Sequence, residues 1–209
     1  MQLSSQIRLA LLAPLLTLLL ACAVPPTVVA SKVVEGVNNT KLNRIVFVYQ
    51  ETQMAVKSSY GVGSASVGST GFTEFGGVLA KEAKASLAKS NLDVLVSVSV
   101  PDGRWRSEAP KIMSSVTASQ QAGAALITVF PISGTASTNF QGDSVYMRYE
   151  VRVVDVESGK LRWSGLLDTS TWSGKGWMYK DAKKVTYDSS YADRFFDALV
   201  AKLKADKLM

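Results

Sequence analysis

Residues 144–156 alternate strictly, with Met147, Tyr149, Val151 and Val153 on one parity and Tyr146, Arg148, Glu150 and Arg152 on the other. A period of two with one apolar parity is the signature of a half-buried strand. Residues 161–171 answer it, setting Leu161, Trp163, Gly165 and Leu167 against Arg162, Ser164, Leu166 and Asp168. The linker Glu157-Ser158-Gly159-Lys160 supplies a glycine suited to positive φ, so the two segments predict a β-hairpin. Dense β-branched and aromatic content predicts buried strands at Arg44–Gln50, Leu92–Val100 and Ala124–Pro131.

Helical spacing appears three times. Residues 73–91 place Phe75, Val78, Leu79, Ala83 and Leu87 on one stripe behind Thr73 as a candidate N-cap. Gly76-Gly77 weakens the first turns of that helix and implies close packing against a neighbour. A helix over Ala109–Ala122 would be entered through Pro110 and closed by Gly123. Residues 187–208 carry Tyr191, Phe195, Leu199 and Leu203 on one face. Between these elements, Met54–Gly71 is rich in Gly and Ser and reads as a long loop, and Ser133–Gly142 reads as a polar loop. The order β-α-β-α-β-β-β-α predicts an α+β two-layer sandwich, a mixed sheet of about five strands with three helices.

The amino-terminal segment has a different pattern. A polar start with Arg8 is followed by an apolar run, Leu9–Leu20, broken only by Pro14 and Thr17. This is the arrangement of a secretory signal, and the run falls short of the roughly 20 residues a membrane-spanning helix needs. The run ends in Leu19-Leu20-Ala21-Cys22, which resembles the lipobox of bacterial lipoproteins. That resemblance implies cleavage after Ala21, diacylation of the Cys22 thiol and palmitate-type acylation of the new amino group. Each buried methylene adds about 0.8 kcal/mol of membrane affinity, so several chains anchor firmly. Ala23 in place of an aspartate resembles the sorting pattern of enteric lipoproteins destined for the outer membrane, facing the periplasm. The chain thus divides into a signal peptide (1–21), a lipidated tether (22–41) and one α+β domain (42–209). At 19 or so residues, the tether could extend up to about 60 Å.

Composition narrows the chemistry. The chain has no histidine and a single cysteine, which removes His triads, His-ligated zinc, Cys nucleophiles and intrachain disulfides. The surplus of 23 Lys+Arg over 17 Asp+Glu is mild and contains no dense basic block, so nucleic acid is not an expected partner. Gly61-x-Gly63-x-x-x-x-Gly68 and Ser173-Gly174-Lys175-Gly176 lack the context of a phosphate loop. Asp102 and Glu108 flank Arg104-Trp105-Arg106, a pairing that suggests a glycosidase but fixes no carboxylate separation, and an exposed turn is the simpler reading. Lys81 and Ser86 are five apart, the wrong spacing to meet on a helix. No catalytic residue, metal site, cofactor or small-molecule substrate is expected.

The segment 171–187 is the most unusual surface candidate, because Trp172, Trp177, Met178 and Tyr179 are interleaved with Lys175, Lys180, Lys183 and Lys184. Aromatics beside cations suit interfaces, and Trp172, Lys175, Trp177, Tyr179 and Lys180 are the candidate partner-binding residues. The alternative is a loop whose tryptophans cover the sheet end.

The strand Gly123–Pro131 and the hairpin Val151–Gly165 resemble the fold shared by the TolB amino-terminal domain, the lipoprotein activators of penicillin-binding proteins and the curli-secretion lipoprotein. The resemblance is one of topology, over roughly residues 42–205, and carries no catalytic residue across. The anchor together with the missing catalytic constellation predicts a non-enzymatic binding or assembly factor that meets an envelope protein or peptidoglycan. A second expectation is a subunit of an oligomeric secretion or pore-like complex in which 54–71 refolds into membrane-inserting strands. That reading makes the chain a homo-oligomer.

Overall fold

The computed structural model describes residues 27–34, 41–52, 56–60, 63–67, 70–139, 142–173 and 189–209. Its elements are β1 (Thr27–Val33), β2 (Arg44–Gln50), β3 (Val56–Tyr60), β4 (Gly63–Val67), α1 (Thr70–Ala88), β5 (Asp93–Val100) and α2 (Trp105–Ser114). The chain continues through α3 (Ala118–Gln121), β6 (Ala124–Asn139), β7 (Gly142–Asp155), β8 (Leu161–Ser173) and α4 (Ser189–Ala205). The α+β class is as expected, but the described residues form eight strands and four helices in place of five and three. Among them, no helix is long and apolar enough to cross a membrane.

The sheet runs β1-β8-β7-β6-β2-β5, with β3 beside the far half of β6 and β4 beyond β3. Strand β2 is parallel to both β5 and β6, whereas β6, β7, β8 and β1 are successively antiparallel. The chain leaves β2 for one neighbour and then crosses to the other, and two crossovers of one hand stepping in opposite directions need opposite faces. This is why α1 lies on one face of the sheet and α2 on the other.

The main core forms where α1 and α4 cover the sheet. Ile45, Phe47 and Tyr49 of β2, Ile127 and Val129 of β6 and the β7 row Met147-Tyr149-Val151-Val153 meet Leu79, Ala83 and Leu87 of α1 there. From α4 come Tyr191, Phe195, Leu199 and Leu203, the stripe read from the sequence. Edge-to-face ring pairs link Phe195 to Tyr149 at 5.6 Å and Phe196 to Phe47 at 5.3 Å. A smaller cluster on the other face joins Val46, Val48, Val100 and Val116, with Trp105 and Ile112 of α2 packed against it.

Five expectations need correction. Thr27–Val33, inside the stretch read as a tether, is a strand paired along β8 from Thr27↔Asp168 to Val33↔Trp163. The loop read at Met54–Gly71 contains the hairpin β3/β4, and β3 lies parallel to β6 over Lys57↔Thr135 to Tyr60↔Thr138. The polar loop read from Ser133 is strand as far as Asn139, because pairing with β7 satisfies its backbone without an apolar face. The helix read over Ala109–Ala122 is two pieces, Trp105–Ser114 with Pro110 inside it and Ala118–Gln121. The break is tied by Gln121, whose Nε2 donates to the carbonyls of Met113 and Val116 at 2.8 and 2.7 Å. Finally, the register of β8 against β7 shifts at Arg162, which is buried, and Leu161 is thereby only half-buried.

Glycine behaves at the hairpin as its sequence suggests. Gly159 has φ +67°, and its N–H donates to the Asp155 carbonyl at 2.9 Å. The Asp155 carboxylate accepts from the Ser158 amide and hydroxyl, both at 2.8 Å, and these bonds hold its pKa below the ordinary carboxylate range.

Candidate functional site

Of the residues singled out from the sequence, the structure places Trp172 next to last in β8, opposite Ser144 of β7. Cys22, Lys175, Trp177, Tyr179 and Lys180 lie outside the described residues, as do Gly61, Gly68 and Gly174–Gly176. The carboxylate pair is not assembled as chemistry. Glu108 on α2 accepts from Lys111 at 3.0 Å, and Asp102 is exposed in the preceding turn. Trp105, read as part of an exposed turn, is half-buried in the second cluster, while Arg104 and Arg106 on either side stay exposed. Ser86 donates to Asp193 of α4 at 2.7 Å and so joins two helices. Lys89 reaches the same Asp193 oxygen at 2.7 Å, and together they hold that carboxyl's pKa low. Among the described residues, no cluster of three or more His, Cys, Asp or Glu is placed to hold a metal ion.

Two surfaces remain as interaction candidates. The first is the face of β7 and β8 turned away from α1 and α4. Arg148 grips Asp168 on the adjacent strand with two bonds, Nε to Oδ1 at 2.6 Å and Nη2 to Oδ2 at 2.7 Å. Four residues on, Arg152 donates to Glu150 at 2.6 Å and stacks its guanidinium 5.1 Å over the Phe130 ring. These are the polar-parity residues of the sequence alternation. Antiparallel sheets commonly present such a face to water.

The second surface was not foreseen from the sequence. Beside β5 and α2 lies a cleft of about 300 Å³ lined by Val98, Ser99, Val100, Pro101, Arg104, Glu108 and Ile112. The available signals were the run of valine in β5 and the spacing of Arg104, Glu108 and Ile112, which places three side chains on one helical stripe. Neither shows that strand and helix flank a common space, since that depends on β5 ending the sheet.

No protein-family model matches the sequence, and no curated protein is similar to it. Among solved structures, the chain is similar to PelC of the PelC dodecamer from Paraburkholderia phytofirmans. The identity is 12%, with 83% of this chain and 94% of that chain covered and a TM-score of 0.40. It is similar to lipoprotein GNA1162 from Neisseria meningitidis at 14% identity, covering 78% and 98%, with a TM-score of 0.38. The LpoB C-terminal domain from Salmonella enterica is matched at 15% identity over 75% and 93%, with a TM-score of 0.27. Likenesses at this level assign neither a family nor a function.

Proposed function

We propose that the chain is an outer-membrane lipoprotein whose periplasmic domain acts without catalysis, as a binding or assembly factor for an envelope protein or a cell-wall partner. The observation that carries this reading is Leu19-Leu20-Ala21-Cys22 at the end of a short apolar run. Acylated there, the mature chain would begin at its lipid anchor, and β1 begins only five positions later at Thr27. Five extended residues span about 17 Å, so the domain works close to the lipid surface, not at the end of a long tether. The absence of histidine and the commitment of the one thiol to lipid favour binding over chemistry.

Metabolic labelling with a clickable palmitate analogue tests the anchor, with tagging expected for the natural chain and lost in Cys22→Ala. Equal labelling of the two, or none in either, refutes the lipoprotein reading. Incubation with peptidoglycan fragments should yield no new products, and product formation would replace the binding role with an enzymatic one.

A second reading, a subunit of a pore-like or secretion oligomer, is favoured by one observation: the Gly/Ser insert pairs as β3 and β4 and continues the sheet through β6. Each of these strands has five residues, about 17 Å, against the apolar band of about 25 Å in a membrane barrel. Electron microscopy of the detergent-extracted protein discriminates, since closed rings support this reading and monomers remove it.

A further inference from the structure

Strand β5 ends the parallel side of the sheet, and among the described residues it pairs with β2 alone. Its eight residues, Asp-Val-Leu-Val-Ser-Val-Ser-Val, hold one charge at the very start and no proline. Natural edge strands are usually guarded against pairing by lysine, proline or a bulge. The opposite edge, β1, is guarded by Lys32 and by a register shift between Val28 and Ala30. In β5 the single irregularity falls near Leu95, where the register shifts between Ile45 and Val46, and the rest of the strand is regular.

The direction of its backbone groups follows from one bond. The Val100 carbonyl accepts from the Glu51 amide at 2.9 Å, on the β2 side. Successive residues of a strand turn their amide and carbonyl to alternate sides, so Ser97 and Ser99 direct theirs outward. The hydroxyls of these serines are engaged elsewhere, Ser97 with the Ala80 carbonyl and Ser99 with Glu51 at 2.9 Å.

The cleft described above lies along this edge. It is lined by Val98, Ser99 and Val100, the last three residues of β5, so the space adjoins the outer end of the strand. Its far wall is the α2 stripe, apolar at Ile112 and cationic at Arg104. Glu108 between them is occupied by Lys111, while Arg104 has no ion pair among the described residues. One wall offers main-chain donors and acceptors, and the other offers an apolar contact and a free guanidinium.

We propose that this cleft receives an extended polypeptide segment of a partner protein, which adds to β5 as a strand. It rests an apolar side chain on Val98, Val100 and Ile112 and sets a carboxylate beside Arg104. A lone segment suits the site better than a second copy of the chain. Helix α1 lies chiefly over β5, and two such strands paired about 4.8 Å apart would crowd helices that need about 8–10 Å between axes. The inference deepens the proposed binding role by naming its surface, and it does not depend on the lipid anchor.

The test is selection of random heptapeptides displayed on phage against the full chain in detergent, followed by amide hydrogen exchange with the enriched peptide. The expected result is an apolar, acid-bearing consensus that slows exchange at Ser97 and Ser99. Arg104→Glu should weaken its binding at least about tenfold. Ser99→Pro removes an outward amide while sparing the β2 ladder, and should abolish binding. Ile112→Glu, a change on the cleft wall, should weaken it should the proline variant fail to fold. Three results would each overturn the proposal: no enrichment over an unrelated solubilised lipoprotein, peptides that leave both serine amides unprotected, or a chain already dimeric through those amides. A Cys22→Ala chain should bind the same peptides, so failure of the membrane address and failure of the cleft are read separately.

Discussion

Asp206, immediately after α4, fastens three parts of the molecule through one carboxylate. Trp163 Nε1 of β8 and Ser31 Oγ of β1 donate to Oδ2 at 2.8 and 2.9 Å, and Lys202 Nζ donates to Oδ1 at 2.8 Å. Burial pushes its pKa up, but the bonds from Lys202, Trp163 and Ser31 outweigh that and hold it below the usual carboxylate range. The unfolded chain therefore binds the proton more readily. The stabilisation is complete above about pH 4 and is lost as pH falls through the depressed folded value. Acid titration of unfolding should show a steeper loss below pH 4 in the natural protein than in Asp206→Asn. Parallel curves would show that the carboxylate contributes nothing there. Glycines give a paired expectation. The Trp163 ring lies across Gly165 where a Cβ would stand, so Gly165→Ala should cost about 1–3 kcal/mol by overpacking. Gly77 is helical and exposed, with nothing within 4 Å of an added Cβ, and Gly77→Ala should stabilise by about 0.5–1 kcal/mol in chemical denaturation. The sequence suggested close packing for Gly76 and Gly77 alike, and only Gly76 has it, against the Tyr49 ring.

Elements differ in what holds them. The α4 stripe is buried along its length, and the β7 row beneath it is equally closed to water, so those two elements were readable as periodicities of 3.6 and 2. Strand β1 has no such support, because among the described residues it pairs with β8 alone and its side-chain tie is Ser31 to Asp206. Removing that tie in Asp206→Ala should speed amide exchange in residues 30–33 well beyond any change in β2. Uniform acceleration across the sheet would mean that the carboxylate supports the whole fold instead. Pro131 and Ile132 show how an element can outrun its pattern. The register of β6 shifts between Pro131 and Ser133, leaving Ile132 45% exposed, and the strand then continues through residues that carry no apolar parity. A bulge accommodates the proline's missing amide and lets the ladder resume.

At the scale of the whole molecule, the proposed anchor and the fold make separable demands. Cys22→Ala should move the protein out of the detergent-requiring membrane fraction while leaving the thermal unfolding midpoint unchanged. A lowered midpoint would tie the amino terminus to the fold itself. What the sequence alone determined is what repeats locally: the β7–β8 hairpin with its glycine turn and the faces of α1 and α4. Each of these is written within a window of a few turns or one hairpin, where side-chain period and turn chemistry act on neighbours. Tertiary structure decided the rest. Strand β1 is placed by β8 and strand β3 by β6, partners far along the chain, while β4 and the second half of β6 are held by the hairpin neighbours β3 and β7. The Gly, Ser and Thr content of β3, β4 and the second half of β6 gives no signal until a neighbouring strand satisfies the backbone. The cleft beside β5 arises the same way, since an edge is a property of which strands are missing, and no residue in β5 can record that.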